Sequence, residues 1–254
     1  MKYFIYKKQM DKGISHLWNT PGNRKIRNCF LFILIFATGC SMKIYSLSGT
    51  SDPDASRESV IFCPSVFGLT APQADLAFLM PRLDHNRTLR DAPCRGDWAA
   101  VLASDPFGSE IRAFRQLIAK GYRGVVNWPS SILLDGMIRQ SMTTIPASPE
   151  FEYAYLVRAQ AAGLETMAFF RSLEQARAAL KAGLTQLVLH PGVLDIEDAS
   201  AGKMLLGSLE RLVETLKGDG SNPTILVYTS DWHERILGLS SLPVDGLVQL
   251  KAKP

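Results

Sequence analysis

The chain has 254 residues, 28 Lys and Arg against 24 Asp and Glu, a formal net charge of +4, and 46% hydrophobic with 20% charged residues. These values exclude an intrinsically disordered chain and leave room for one α/β barrel or two small domains. The positive charge is concentrated before residue 42, where Lys2, Lys7, Lys8, Lys12, Arg24, Lys25 and Arg27 face Asp11 alone; the rest is mildly acidic, which argues against a nucleic-acid partner.

Taken from the start, Arg24-Lys25-Ile26-Arg27 precedes an apolar run over residues 29–37 and then Thr38-Gly39-Cys40. A basic stretch, a short apolar core and small residues read as a signal-like extension, and the run falls well short of the roughly 20 residues that cross a bilayer. The segment Ala37-Thr38-Gly39-Cys40 is similar to a bacterial lipoprotein signal, in which the cysteine carries the lipid. Two expectations follow for residues 1–41: a lipid anchor through Cys40, the one route to a membrane, or a start at Met42 and a cytoplasmic protein. Cys63 and Cys94 favour the second, because they lack CxxC spacing and read as reduced thiols rather than a metal or redox pair.

Residues 42–58 are polar and rich in Ser and Asp, and read as a linker or a degenerate first unit. A barrel domain is expected over 59–254. Strands are predicted at 59–63, 98–103, 124–127, 166–170, 186–190, 224–228 and 246–250, apolar at nearly every position as in a parallel sheet covered on both faces. Between them the spacing predicts helices at 110–120, 150–162, 172–182 and 204–216. The first three stop at Gly121, Gly163 and Gly183, and the third opens on a Ser172-x-x-Gln175 capping signature. Strand, helix, glycine, strand in series means βα units. No GxGxxG or Walker pattern is present, so a TIM-type (β/α)8 barrel is expected over a doubly wound sheet, its first unit degenerate or missing and its last helix truncated. A missing strand would leave an open edge that pairing could cover, hence a possible homo-oligomer.

Polar residues stand after successive strands: Ser104 and Asp105, Asn127, Arg171, His190, then Thr229 and Ser230. In a parallel barrel those ends share one rim, and buried polar groups there imply a common pocket. Asp105 reads either as a helix cap or as a site carboxylate. Asp135-Gly136 alone is a turn signal, and Arg139 reads either as the partner of Asp135 or as a fork for a carboxylate or phosphate. His190, followed by Pro191-Gly192, is a candidate for proton transfer. His233 and Asp231 read as a helix start capped by Ser230.

The residues Ala103-Ser-Asp-Pro-Phe107, Asn127-Trp-Pro-Ser-Ser-Ile-Leu-Leu-Asp135-Gly136-Met-Ile-Arg139, Glu152 and His190-Pro-Gly192 resemble, in order and spacing, the phosphoenolpyruvate hydrolase-like proteins, or TIM-barrel signal-transduction domains, of the phosphoenolpyruvate/pyruvate barrel superfamily. The resemblance covers about residues 60–250. It implies an enzyme acting on a small oxo-acid or phosphorylated enol through an enolate-like intermediate, probed as hydrolase or lyase chemistry. Asp105, Asp135 and His190 are the implied catalytic groups, Asn127, Arg139 and Glu152 the implied substrate contacts, a small anionic metabolite the ligand, and Mg²⁺ the candidate cofactor. Where that pattern has glycines, this chain has Ile132, Val227-Tyr-Thr-Ser230 and Leu250-Lys-Ala-Lys253. Loss of such backbone cradles supports an alternative, a catalytically degenerate barrel that binds a metabolite as a sensing module.

Overall fold

The computed structural model describes residues 42–50, 59–106, 110–145, 147–194 and 199–251, and the structural statements below concern these. Cys40 and the signal-like extension lie outside them. No helix among the described residues is long and apolar enough to cross a membrane.

Eight parallel strands close into a barrel in sequence order. They are β1 (Lys43–Ser48), β2 (Ser59–Phe62), β3 (Trp98–Val101), β4 (Gly124–Asn127), β5 (Glu165–Phe170), β6 (Gln186–Leu189), β7 (Thr224–Thr229) and β8 (Gly246–Leu250). The helices are α1 (Ala71–Asp75), α2 (His85–Asp91), α3 (Glu110–Lys120), α4 (Gly136–Met142), α5 (Pro149–Ala161), α6 (Leu173–Lys181), α7 (Ala199–Gly218) and α8 (Asp231–Leu237). The stretch expected as linker or degenerate unit supplies β1, which pairs with β2 on one side and β8 on the other. With the cylinder closed there is no open edge, and the edge-pairing argument for an oligomer falls away.

Strand parity sorts the core into two layers. One set, including Tyr45, Leu47, Ile61, Trp98, Val126, Trp128, Met167, Phe169, Val188, Leu226, Tyr228 and Val248, fills the barrel interior. The alternate set, including Phe62, Val101, Val125, Phe170, Leu187 and Val227, packs under the helices with Phe114, Leu156, Val213 and others. Large and small residues interlock inside: a Cβ on Gly124 would stand 2.4 Å from the Trp98 ring, so only glycine admits that indole.

Helix ends follow local chemistry. Gly121, Gly163 and Gly183, just past α3, α5 and α6, have φ of 95°, 99° and 93°, the left-handed conformation that stops a helix. Ser172 caps α6 by accepting from Gln175 N at 3.2 Å, but the Gln175 side chain does not return to Ser172. It accepts from Arg171 N and donates to Ile132 O instead, tying β5 to the loop after β4. Cys63 is buried, Cys94 is exposed, and both are free thiols.

Candidate active site

The strand ends place polar side chains according to the same parity. Asn127 ends β4 one residue after Val126 and one before Trp128, both interior residues, so it points outward to the helix layer. There it meets Glu152 of α5. Its Nδ2 donates to Glu152 Oε2 at 2.7 Å and to Ser130 Oγ at 3.2 Å, while its Oδ1 accepts from Phe169 N at 2.7 Å. Glu152 also accepts from Ser130 Oγ at 2.5 Å and from Ser131 N at 2.7 Å, so both carboxylate oxygens are engaged. Burial raises the Glu152 pKa, and the donors from Ser130, Ser131 and Asn127 oppose it. Asn127 and Glu152 are thus brought together as the clamp that holds the turn after β4.

His190 stands at interior parity, two residues after Val188. It is fully buried, and its ring lies nearly parallel to those of Trp128, at 5.1 Å, and Tyr228, at 4.6 Å, which are themselves 5.3 Å apart. Its Nδ1 is 3.0 Å from Gly192 N, a donor supplied by a turn in which Gly192 has φ of 97°. An N–H can only donate, so Nδ1 is the acceptor and the neutral ring carries its proton on Nε2. That proton faces Asp75 Oδ1 at 3.3 Å. Burial lowers the His190 pKa, with the Arg171 charge adding to it and Asp75 opposing, so the ring is neutral.

Asp75 ends α1 and is 3% exposed. Its Oδ2 lies 3.7 Å from His233 Nε2, and neither atom has a hydrogen-bond partner. The Tyr228 hydroxyl and Trp128 Nε1, both buried, also lack partners. Burial, then the nearby Asp75 carboxylate, raise the Tyr228 pKa well above its usual value. Burial also penalises the Asp75 charge, but His190 and then His233 outweigh it, and Asp75 is held below the usual carboxylate range. His233 is oriented by Ser230, which caps α8: Ser230 Oγ accepts from His233 N at 3.2 Å and lies 2.8 Å from His233 Nδ1. An ionised carboxylate, two imidazoles and a phenol therefore converge at the carboxyl end of the barrel. Several of their hydrogen-bonding atoms are unused.

The remaining expected site residues make other contacts. Asp105 is partly buried, and its Oδ2 accepts from Asn86 Nδ2 at 2.9 Å. Asp135, with its side chain 80% exposed, faces Arg171 Nη1 at 3.5 Å. Arg139 pairs with Glu150 and Glu174 at 3.6 and 3.8 Å, rather than with Asp135. These contacts do not by themselves join Asp105, Asn127 and Asp135 to His190 in one pocket. Parity turns Asn127 away from His190, and Asp135 stands out in solvent. The sequence reading passed over Asp75 and read His233 as a helix residue. The available signals were Thr70-x-x-Gln73 before Asp75, whose Thr70 N donates to Gln73 Oε1 at 3.0 Å, and the interior parity of Tyr228 beside Ser230.

Mg²⁺ binds hard oxygen ligands, usually one or two carboxylates with water or phosphate. Among the described residues no group of three or more His, Cys, Asp or Glu could hold a metal ion. The buried Asp75 faces imidazole groups, and the Nε2–H tautomer of His190 denies a metal that nitrogen's lone pair. The donor set does not fit Mg²⁺.

Comparison with known proteins places this site in context. The model of the phosphoenolpyruvate hydrolase-like family matches residues 92–219, half of the chain. An uncharacterized protein, y4oT, of Sinorhizobium fredii is 30% identical over 141 residues, which cover 53% of this chain and 72% of the relative. The ToMV resistance protein Tm-1 of Solanum lycopersicum is 31% identical over 115 residues, 45% of this chain but 15% of the tomato protein. Among solved structures, an HMG-CoA lyase of Bacillus subtilis aligns with 83% of this chain and 77% of its own at 13% identity and a TM-score of 0.46. A Streptomyces coelicolor racemase with bound magnesium aligns with 85% and 59% at 14% identity and a TM-score of 0.39. The strand pairing described above, not these distant alignments, establishes the barrel.

Proposed function

Because the chain belongs to the phosphoenolpyruvate hydrolase-like family, we propose that it is a barrel enzyme acting on a small oxo-acid, or a phosphorylated enol, through an enolate-like intermediate at Asp75, His190, His233 and Tyr228. The observation that carries this reading is the set of buried atoms without partners: Asp75 Oδ2, His233 Nε2, Tyr228 OH and Trp128 Nε1. A buried polar atom without a partner costs on the order of 1–3 kcal/mol, and the oxygens of a small oxo-acid would accept from the Tyr228 hydroxyl and Trp128 Nε1.

In this mechanism Asp75 is the base that takes a proton from the carbon next to the substrate carbonyl. Its carboxylate is ionised and one of its oxygens is free. The Nε2–H of His190 and the hydroxyl of Tyr228 then donate to the developing oxyanion, a role that needs preorganised donors in a water-poor site. Stacking on Trp128 and Tyr228 and the bond from Gly192 N fix the His190 ring for that task. Arg171, 40% exposed in its side chain and close enough to depress His190, offers a guanidinium to the substrate carboxylate. The cluster is buried, so this reading requires an opening, and α1, which carries Asp75, is the element it assigns to that motion.

The test is solvent deuterium exchange at the α-carbon of pyruvate and longer oxo-acids, followed by NMR, together with phosphate release from phosphoenolpyruvate. Exchange or release that disappears in Asp75→Asn supports the reading; a folded wild-type protein inert toward the whole panel overturns it. A second reading, a metabolite-binding module without turnover, is favoured by the rim after β7. Thr229 Oγ1 there donates to Glu234 at 2.6 Å and Ser230 Oγ is spent on His233, so neither hydroxyl is left for an anion. That reading requires calorimetric binding of an oxo-acid with no exchange.

A further inference from the structure

A second constellation lies outside the Asp75 cluster. Between α2, the ends of β3 and β4 and the chain after α4 there is a cavity of about 230 Å³. Phe78, Leu102 and Ile145 contribute to its apolar wall, while Ser65, His85 and Ser104 supply polar groups. No Lys, Arg, Asp or Glu lines it. Asp75, His190, His233 and Tyr228 are not among the lining residues.

His85 is 3% exposed and Ser65 7% exposed. His85 Nε2 lies 2.8 Å from the Ala100 carbonyl oxygen. A carbonyl can only accept, so Nε2 carries the ring proton and Nδ1 is left as a bare acceptor. Ser65 Oγ is 2.6 Å from that Nδ1 and must donate its hydroxyl proton to it. A hydroxyl aimed at an imidazole, whose far nitrogen is oriented by a third group, is the arrangement that activates a serine nucleophile. Burial lowers the His85 pKa to about 4, against the Ala100 carbonyl, Asp105 and Asp84, so the ring is neutral and able to accept near pH 7.

We propose that Ser65 and His85 form a nucleophile and general base that hydrolyse small neutral carboxylic esters whose acyl group enters this cavity. Ser65 Oγ attacks the ester carbonyl carbon as its proton passes to His85 Nδ1. The bond from that carbon to the alkoxy oxygen breaks, and the leaving alcohol takes the proton from Nδ1. Water then attacks the acyl-serine in the same way, releasing the carboxylic acid and restoring the serine. The uncharged lining selects against anionic acyl groups. The volume exceeds the roughly 150 Å³ cavity that takes benzene, so a benzoyl-sized group fits.

The experiment is covalent labelling of the full, folded wild-type chain with benzylsulfonyl fluoride, read by intact mass and by peptide mass spectrometry, with p-nitrophenyl benzoate hydrolysis followed in parallel. The expected result is one adduct on Ser65, loss of ester hydrolysis on labelling, no hydrolysis in Ser65→Ala, and labelling slowed about a hundredfold or more in His85→Gln. The adduct position is read on the wild-type protein, so it does not depend on either variant folding. A folded wild-type chain with Ser65 unmodified overturns the proposal, and the hydrogen bond is then only a tie between α2, β3 and the turn at Ser65. A folded His85→Gln labelled at the wild-type rate overturns it equally. The oxo-acid assay reports on Asp75 and this one on Ser65, so the two readings fail separately.

Discussion

Two carboxylates are buried near the same end of the barrel, and their surroundings differ in kind. Glu152, fully buried, spends both oxygens on Asn127, Ser130 and the Ser131 amide. Asp75, 3% exposed, has one oxygen on His190 and the other without a partner, beside a histidine and a tyrosine that also have free atoms. A saturated buried carboxylate fixes a fold; an unsaturated one among donors waits for something that completes it. Interior against helix-facing parity is what separates them, since Glu152 serves a residue that looks outward and Asp75 faces residues that look inward.

Replacing each carboxylate breaks or sharpens this contrast. Glu152→Ala strips the partners from Asn127, Ser130 and Ser131 together, and is expected to cost about 4 kcal/mol in urea denaturation; a loss below about 1 kcal/mol would mean the clamp does not hold the loop. The next largest effect is on pH dependence. With the folded His85 pKa lowered to about 4 against about 6.5 unfolded, the unfolded state binds more protons between those values, so stability falls as pH drops through that window. His85 alone is worth about 3 kcal/mol there. His190, also lowered, acts in the same direction, while the raised Glu152 acts oppositely as pH falls toward its ordinary value. Unfolding free energy measured from pH 7 to 4 should therefore decline, and less steeply in His85→Gln.

Asp75→Asn is expected to change stability by about 1 kcal/mol or less and to cut oxo-acid turnover about a hundredfold or more. That is the reverse of the Glu152 pattern. Equal loss of stability in both variants would erase the distinction drawn between them. Smallest is Arg139→Ala: its ion pairs to Glu150 and Glu174 are long and solvent-exposed, so about 0.5 kcal/mol or less is expected by thermal melting.

Most of the barrel was legible because most strands bury both faces and α3, α5 and α6 stop at glycines, signals that are local. The observed α3 coincides with residues 110–120, and β4 and β8 with 124–127 and 246–250. β1 was hidden because only Tyr45 and Leu47 of Lys43–Ser48 enter the interior set, while Ser46 and Ser48, though buried, give a polar texture. Asn127 and His190 both looked like rim residues; counting parity from Val126 and Val188 would have separated them. Asp75 and His85 lie on helices of five and seven residues, too short for a periodic signal. Asp75 meets His190 across 115 positions, a contact that only closure of the barrel creates.

The most direct measurement is a long-range ¹H–¹⁵N spectrum of the imidazoles, recorded on wild-type protein with and without oxalate, a planar dianion that mimics an enolpyruvate. The free protein should show His190 neutral with its proton on Nε2, and oxalate should shift His190 and His233 together, an effect lost in Asp75→Asn. Oxalate that leaves both rings unmoved at saturating concentration, or a His190 carrying its proton on Nδ1, would contradict the account.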